Sequence, residues 1–313
     1  MSSPTSKKYL KIFIKLIISL GFLIWVFLDV NWNEIFFYLQ KISLGEIMVY
    51  FSIILLGMFI SSYKWQILAQ FRGIQSSYWN FFKLYLTGTL INNVMPSFVG
   101  GDTYRAYQIG KPEQKYTEAA SSVVMDRITG FVGATILSFV FAFFNYKSVL
   151  KHDILILANV LLLLSFGIDI ALAKMRRINL FKDRAKQILP LKFIAFLRDL
   201  SSYNGNSRIL IRSILWGSVF SFIGVAVSNG ILFWALGIKM NMLDYLSAIF
   251  LVSIISAIPI SINNIGVKEW AYVTFFGVFG ISSSLIITVA LLSRFLQMIL
   301  SFSALPIYLK NKD

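Results

Sequence analysis

Two short stretches of sequence decide the fold: NNVMPSFVGGDTYRAYQ at residues 92–108 and AIPISINNIGVKEWAY at residues 257–272. Each contains a proline, a short polar link, a glycine, a charged residue and then Ala-Tyr. Each also interrupts a longer apolar segment, residues 79–98 in the first case and residues 243–279 in the second. Because proline and glycine end or kink helices, both segments are predicted to be interrupted helical hairpins.

The rest of the chain consists largely of apolar segments. Hydrophobic residues make up 57% of the 313 residues and charged residues 14%, against about 45–50% and about 25% in soluble domains. This composition excludes a soluble fold. Six segments are long enough to cross about 30 Å of hydrocarbon as helices: residues 10–28, 47–68, 119–146, 154–173, 209–236 and 282–308. The sequence therefore predicts an all-α polytopic helical membrane protein with a single integral membrane domain, residues 1–313.

The basic residues give the orientation of these segments. The basic loop at residues 174–208 is expected to be cytoplasmic, since Lys and Arg concentrate on that side of membranes. The lysines near both termini, and Lys64 with Arg72, are interpreted as further cytoplasmic markers. Segment 79–98 then starts and ends inside, whereas segment 243–279 starts and ends outside. The two hairpins are therefore predicted to be re-entrant from opposite faces of the plasma (cell inner) membrane, with both termini cytoplasmic.

Each half of the chain repeats the order of spanning helix, interrupted hairpin and charged helix. The halves, about residues 46–146 and 209–309, are joined by a helix and the basic cytoplasmic loop. Because the halves start on opposite faces, they are predicted to form an inverted repeat, as in transporters that bind their substrate near the midplane. Chance alignment of apolar sequence is the alternative. Residues 102–118, with balanced charges, are expected to form a loop.

The glycines at the two breaks are candidate anion sites. Gly100, Gly101 and Gly266 lie where a new helical piece begins, and the N-H groups of such an end attract anions. Arg105 lies one turn beyond the first break and Lys268 directly beyond the second, so each break combines N-H donors with a cation. A capped turn at the membrane surface is the alternative.

Charged residues inside the spans are a second signal. Asp126 shares a helical stripe with small residues and is expected to face the bundle. Arg127 follows it, and Arg294 lies near the centre of the last span, where an arginine costs about 3 kcal/mol unless it is paired or hydrated. A structural ion pair of Asp126 or Glu269 with Arg294 stays open. So does proton exchange by Asp102 or Glu269.

The composition also limits the chemistry. With no cysteine and one histidine, thiolate chemistry and sites with several histidine ligands are excluded, and neither a metal nor another cofactor is expected. The net charge of +15 fits cytoplasmic loops beside anionic lipid better than nucleic acid, so no nucleic-acid partner is expected. A second small-residue stripe is expected to serve helix packing only: Gly217, Ser221, Gly224 and Ser228.

Three motifs carry a family resemblance: MPSFVGGDTYRAYQIGK at 95–111, VVMDRITGF at 123–131 and PISINNIGVKE at 259–269. In this order and at these separations they resemble the flippase-like membrane domain of the lysylphosphatidylglycerol synthase transmembrane family, over nearly the whole chain. The resemblance implies a helical bundle that handles lipids or lipid-linked headgroups. Because the chain ends at Asp313, soon after its last span, the soluble catalytic domain of the lipid-synthesising members is not expected, and neither is their synthase activity.

Several residues match the family motifs by position: Pro96, Gly100, Gly101 and Arg105 in the first, Asp126, Arg127 and Gly130 in the second, Pro259, Gly266 and Glu269 in the third. One departure is visible before Gly266. Asn263 and Asn264 stand where related sequences usually have proline or glycine, and this leaves the tightness of that turn open.

The leading hypothesis is a lipid translocase that moves an anionic phospholipid or a polyprenyl-linked lipid headgroup between leaflets. The expected substrate-binding residues are Asn93, Pro96, Gly100, Gly101, Asp102, Arg105, Asp126, Arg127, Pro259, Asn264, Gly266, Lys268, Glu269 and Arg294. The alternative is a membrane-embedded transferase acting on a lipid-linked donor, with Asp102, Asp126 or Glu269 as general base. An assembly factor, a homo-oligomer and a partner envelope synthase or glycosyltransferase stay open.

Overall fold

The structure, a computed structural model, describes residues 32–94, 100–177, 191–258 and 261–310, together with Gly21 and Ile24. Every regular element within these ranges is helical. The fold class predicted from the sequence is thereby confirmed as an all-helical polytopic membrane protein. Apart from Gly21 and Ile24, the predicted first span at residues 10–28 lies outside the described residues, and so do Pro96 and Pro259.

Thirteen helices follow one another along the described chain. They are α1 (Trp32–Leu39), α2 (Leu44–Phe71), α3 (Tyr78–Val94), α4 (Gly100–Gly110), α5 (Tyr116–Phe144), α6 (Tyr146–Val149), α7 (Asp153–Arg177), α8 (Leu191–Ser202), α9 (Ser207–Ala235), α10 (Met242–Ala257), α11 (Val267–Gly277), α12 (Ser283–Phe302) and α13 (Leu305–Lys310). Short 3-10 turns at Tyr203–Gly205 and Ile262–Asn264 precede α9 and α11.

Four of these helices are long and apolar enough to cross a membrane: α2, α5, α9 and α12. The sequence predicted each of them with starts that agree within three residues. The predicted end of the last span at residue 308 is wrong, because α12 ends at Phe302 and a turn separates it from α13. Pro306 explains this break, since proline lacks an N-H and disfavours helical backbone in the residue before it.

The expected loop at residues 102–118 is also wrong. Residues up to Gly110 form α4, and only residues 111–115 connect it to α5. The local sequence explains the helix. Asp102 lies in the first turn, where a carboxylate is stabilised by the positive end of the helix dipole, and Ile109 is buried against α5 and its neighbours.

Helices α3 and α4 form an antiparallel pair. Their backbones approach closely at Gly88 and Gly101, where an added Cβ would collide with the facing backbone. Both ends of the pair lie together, because Lys115 Nζ donates to Gly73 O at 2.8 Å and Gln75 N donates to Glu113 Oε1 at 3.3 Å. The hydrogen bond from Lys115 lowers the pKa of Glu113. The pair therefore begins and ends where α2 ends and α5 begins.

Helices α10 and α11 form a second pair at the other end of α5. Asn145, which follows α5, donates from Nδ2 to Asp244 Oδ1 at 2.8 Å, in the first turn of α10. The ring of His152, beyond α6, contacts Phe279, just after α11, with 5.2 Å between the centroids. The two pairs thus approach the middle of α5 from opposite ends.

The bounds of the helices repeat along the chain. Helices α4 and α11 have 11 residues each and are displaced by 167 residues, from 100 to 267 at the start and from 110 to 277 at the end. The helices that follow them, α5 and α12, start at 116 and 283, which is the same displacement.

Small residues allow α2, α5 and α9 to pack closely, as the sequence predicted for Gly217 and Gly224. A Cβ on Gly217 would lie 2.7 Å from Thr129 O in α5, and a Cβ on Gly57 of α2 would lie 2.8 Å from Gly224 Cα. In the middle of α9, Ser221–Val227 is wound as a π-helix. The three helices therefore pack against one another through direct backbone contact.

We expect Gly217→Ala to destabilise the protein by about 1–3 kcal/mol, because the new methyl group would meet backbone atoms of α5 that cannot move independently. Thermal unfolding in detergent micelles measures the change. Gly277→Ala is the matched control, since a Cβ there meets nothing within 4 Å. Equal unfolding temperatures for the two variants would contradict the close packing of α5 and α9.

Candidate functional site

Five charged side chains form an alternating row inside the bundle, which we call the five-charge row. Lys64 Nζ lies 3.0 Å from Asp126 Oδ1, and Asp126 Oδ2 lies 3.4 Å from Arg105 Nη1. Arg105 Nη2 is 2.7 Å from Asp102 Oδ1, and Asp102 Oδ2 is 2.7 Å from Arg127 Nε. Three cations therefore alternate with two carboxylates, each of which bridges two cations.

The row lies at depth within the bundle. Asp126 is ten residues after the start of α5, which places it about 15 Å along the helix. Lys64, Arg105 and Asp126 are buried, with only 2–4% of each residue exposed. The interpretation of Lys64 as a cytoplasmic marker is thus wrong. Its ammonium group instead donates to Asp126 O at 2.6 Å and neutralises the adjacent carboxylate, which is why the charge is stable inside.

Aromatic rings hold Arg105 in place. Its Cζ atom lies 4.8 Å from the centre of the Trp65 ring and 4.6 Å from that of Tyr85, within the range of cation-π attraction. Gly88 leaves room for the aliphatic part of the side chain, since a Cβ there would be 2.9 Å from Arg105 Cγ. The guanidinium group is therefore held between the two rings, with its N-H edge toward Asp102 and Asp126.

A cavity of about 230 Å³ adjoins the row. Residues of α2, α3, α4, α5, α9 and α10 line it: Ser61, Lys64, Tyr85, Gly88, Thr89, Asn92, Asp102, Arg105, Asp126, Arg127, Gly130, Phe131, Ala134, Phe220, Ser221, Ser253, Ile254 and Ala257. It thus lies between the ends of α3 and α10, where the two helix pairs approach each other. Arg127 has 41% of its side chain exposed and is the most accessible cation of the row.

A second cluster surrounds the turn before α11. Arg294 of α12 donates to the carbonyl oxygens of Asn263 and Asn264 at 2.9 and 3.1 Å and lies 3.1 Å from Glu269 Oε1. The φ angles of the two asparagines and of Gly266 are 49°, 53° and 82°. Asparagine tolerates this left-handed region. The turn is therefore tight, although Asn263 and Asn264 depart from the family pattern. Of the two ion pairs that the sequence left open for Arg294, the structure contains the one with Glu269.

The two clusters share one spacing. Asp102 in α4 pairs with Arg127 in α5, and Glu269 in α11 pairs with Arg294 in α12. Both pairs are 25 residues apart in sequence. In each case the carboxylate lies in the short helix after the break and the arginine in the helix that follows.

The structure divides the predicted site residues into groups. Asp102, Arg105, Asp126 and Arg127 meet at the cavity, whereas the second cluster contains Asn264, Gly266, Glu269 and Arg294. Two others contact α12 and do not line the cavity: Lys268 Nζ donates to Ser293 Oγ at 2.7 Å, and Asn93 Nδ2 donates to Ser301 Oγ at 3.0 Å.

The N-H groups proposed to bind anions have protein partners. Gly101 N donates to Asn92 Oδ1 at 2.8 Å, and Gly266 N donates to Glu269 Oε2 at 2.7 Å. Gly100 begins α4 directly before Gly101. Binding of an anion at these helix starts stays a prediction, and it requires displacement of the Asn92 or Glu269 side chain from those N-H groups.

Sequence reasoning missed Lys64, Trp65, Tyr85 and Asn92 as members of this site. A signal was available for Lys64, because a lysine within an apolar segment is a functional candidate. No comparable signal existed for Trp65 and Tyr85, since aromatic residues are frequent throughout this chain and only the fold brings these two to Arg105.

Comparison with known proteins gives the family. The family described as the lysylphosphatidylglycerol synthase TM region matches residues 12–304 of the chain. The chain belongs to this family. It is also 25% identical over 317 aligned positions to the UPF0104 membrane protein MJ1595 of Methanocaldococcus jannaschii, an alignment that covers 94% of this chain and 92% of that protein. No solved structure matches the chain. The family resemblance predicted from the three motifs is confirmed.

We expect Asp126→Asn to destabilise this family member by about 3–5 kcal/mol, because it leaves Lys64 and Arg105 buried without their shared carboxylate. In the double variant Lys64→Met/Asp126→Asn the loss should be smaller than the sum of the two single losses, since one of the stranded cations is removed. Unfolding in detergent micelles measures the coupling. The exposed pair Lys115 and Glu113 is the control, and Lys115→Met with Glu113→Gln should depart from additivity much less than the buried pair does. Additivity at Lys64 and Asp126 would contradict the pairing.

Proposed function

We propose that the protein is a lipid translocase that moves lipids with an anionic headgroup between the two leaflets of the membrane. The observation that carries the proposal is the cavity at the five-charge row. It offers cations to a headgroup about 15 Å along α5, far from either end of that 29-residue helix. Ionisable residues at such depth are costly unless they are paired or hydrated, and they are therefore functional candidates by default.

Membership of the lysylphosphatidylglycerol synthase TM region family supports a lipid-related role in the membrane. The family description refers to the membrane region of a synthase that acts on a lipid. The proposal concerns this membrane region alone.

We further propose that α3–α4 and α10–α11 are re-entrant hairpins from opposite faces of the membrane. The contacts at Gly73–Lys115, Asn145–Asp244 and His152–Phe279 support this, because together they bring both ends of each pair near one end of α5. The 167-residue displacement of the helices and the 25-residue spacing of both ion pairs support an inverted repeat. Such repeats occur in transporters whose binding site lies near the midplane.

In this mechanism the headgroup enters the cavity and the lipid tails stay in the bilayer. Rocking of one half against the other exposes the cavity to each leaflet in turn. The halves meet where Gly57 of α2 contacts Gly224 in the π-helical part of α9. Tyr50 of α2 also donates to Ser293 O in α12 at 3.2 Å. These contacts are where the two halves would slide during transport.

The hairpins can be tested with single cysteines, because the chain has none of its own. We expect Ser77→Cys and Lys111→Cys to react with a membrane-impermeant thiol reagent from the cytoplasmic face, since the ends of α3 and α4 lie together. Lys239→Cys and Ser282→Cys should react only from the opposite face. Labelling of Ser77→Cys and Lys111→Cys from different faces would contradict the hairpin, because it would show that the segment from α3 to α4 crosses the membrane an odd number of times.

Translocation itself can be measured with purified protein in vesicles that contain fluorescent anionic lipid, by following quenching from the outside. We expect the variant with Arg105→Gln, Arg127→Gln and Arg294→Gln to exchange lipid at least tenfold more slowly than the wild type. The cavity loses two of its cations, and the turn before α11 loses the Arg294 side chain that donates to its carbonyl oxygens. Unchanged exchange in this triple variant would reject the proposal.

The matched control is the exposed Arg212, which donates to Tyr63 OH and does not line the cavity. Arg212→Gln should exchange lipid at the wild-type rate. The same samples are analysed for new lipid products, which separates the two functions. Product that forms without exchange, and that Asp126→Asn abolishes, would identify a membrane-embedded transferase.

A further inference from the structure

The formal charge of the cavity points to the chemical class of its ligand. Its charged lining residues in the described chain are Lys64, Arg105 and Arg127 against Asp102 and Asp126, which leaves one excess positive charge. Lys64, Asp126, Arg105 and Asp102 balance one another, so the excess lies toward Arg127, at the accessible edge of the row. A ligand that enters the cavity displaces water from this edge, and a ligand that restores neutrality there is favoured.

The size of the cavity gives an independent restriction. About 230 Å³ is below the roughly 300–1,000 Å³ typical of pockets for drug-sized molecules. The cavity therefore accommodates a compact headgroup. The rings of Tyr85 and Phe131 and the side chain of Ile254 form an apolar part of its wall. This wall suits a glycerol or short alkyl substituent better than a second charged group.

We infer that the cavity selects a compact phosphodiester with one negative charge, in preference to phosphomonoesters and to zwitterionic headgroups. A phosphodiester balances the single excess charge of the row. A phosphomonoester carries about −1.5 to −2 at pH 7 and overcompensates it. A zwitterion adds no net charge. The inference rests on the proposed function where transport is concerned, and it names the substrate class of that same site.

Arginine is suited to this recognition, because its planar group donates to two oxygens of a phosphate at once. Arg127 stands at the accessible edge of the row, and Asp102 beside it has 15% of its side chain exposed. These two residues thus provide separate controls of the cavity charge. Arg127→Gln lowers the formal charge from +1 to 0, and Asp102→Asn raises it to +2.

The test compares relative rates of leaflet exchange for three fluorescent lipids: phosphatidylglycerol, phosphatidic acid and phosphatidylethanolamine. In the wild type we expect phosphatidylglycerol, the phosphodiester with one charge, to exchange at least tenfold faster than the other two. Arg127→Gln should reduce its advantage over phosphatidylethanolamine at least tenfold. Asp102→Asn should shift the preference toward phosphatidic acid. Because ratios are compared within one variant, a general loss of activity does not imitate the result.

Two variants outside the cavity serve as controls. Arg212→Gln and Asp153→Asn make the same chemical changes at exposed positions and should leave all three ratios unchanged. Equal exchange of the three lipids by the wild type would overturn the phosphodiester inference and leave the translocase proposal standing. If the protein exchanges none of the three lipids, the translocase proposal is rejected. The binding experiment described next then tests the phosphodiester inference.

Binding is measured by thermal stabilisation of the detergent-solubilised protein. The probes are dihexanoyl phosphatidylglycerol, dihexanoyl phosphatidic acid, glycerophosphoglycerol and inorganic phosphate. We expect the two phosphodiesters to stabilise the wild type more than the two phosphomonoester-type probes, and Arg127→Gln to lose this difference. Equal stabilisation by all four would overturn the inference. If glycerophosphoglycerol stabilises the protein as strongly as the lipid does, the cavity recognises the phosphodiester itself. The ligand can then be a soluble phosphodiester without lipid tails.

Discussion

The carboxylate of Asp126 is the group on which the centre of this bundle depends. It lies between Lys64 of α2 and Arg105 of α4, so one buried side chain on α5 holds three helices in register. None of these charges is stable at this depth alone, because removal of Asp126 leaves Lys64 buried without a carboxylate and Arg105 with Asp102 alone. The pairing therefore fixes the relative positions of α2, α4 and α5 and places Arg105 and Asp102 at the cavity.

Close backbone packing is the condition for this arrangement. Glycines at positions 57, 133 and 217 let α2, α5 and α9 touch, and Gly88 with Gly101 brings α4 against α3. These contacts hold α9 against α2 and α5, and α4 against α3, around the row and its cavity. The same contacts connect the two halves of the chain, so the geometry of the cavity and the freedom of the halves to move are determined by one set of small residues.

The sequence predicted much of the site but placed part of it wrongly. Asp126 was expected to face the bundle because of its small neighbours, and it does. Lys64, with Arg72, was interpreted as a cytoplasmic marker, because lysine and arginine concentrate on that side of membranes. Its partner, Asp126, is 62 residues away in sequence. Nothing in the local pattern of α2 indicates that the backbone carbonyl and the carboxylate of this residue lie beside Lys64.

The sequence by itself determined the class of protein, four spanning helices, the two breaks and the family, because hydropathy and the placement of proline and glycine act locally along the chain. Only the tertiary structure decided which charges meet. Arg127 pairs with Asp102 and Arg294 with Glu269, each across 25 residues, whereas Lys64 and Arg105 share Asp126. These partners are set by helix packing, since a buried charge is stable only beside the groups that the fold brings to it.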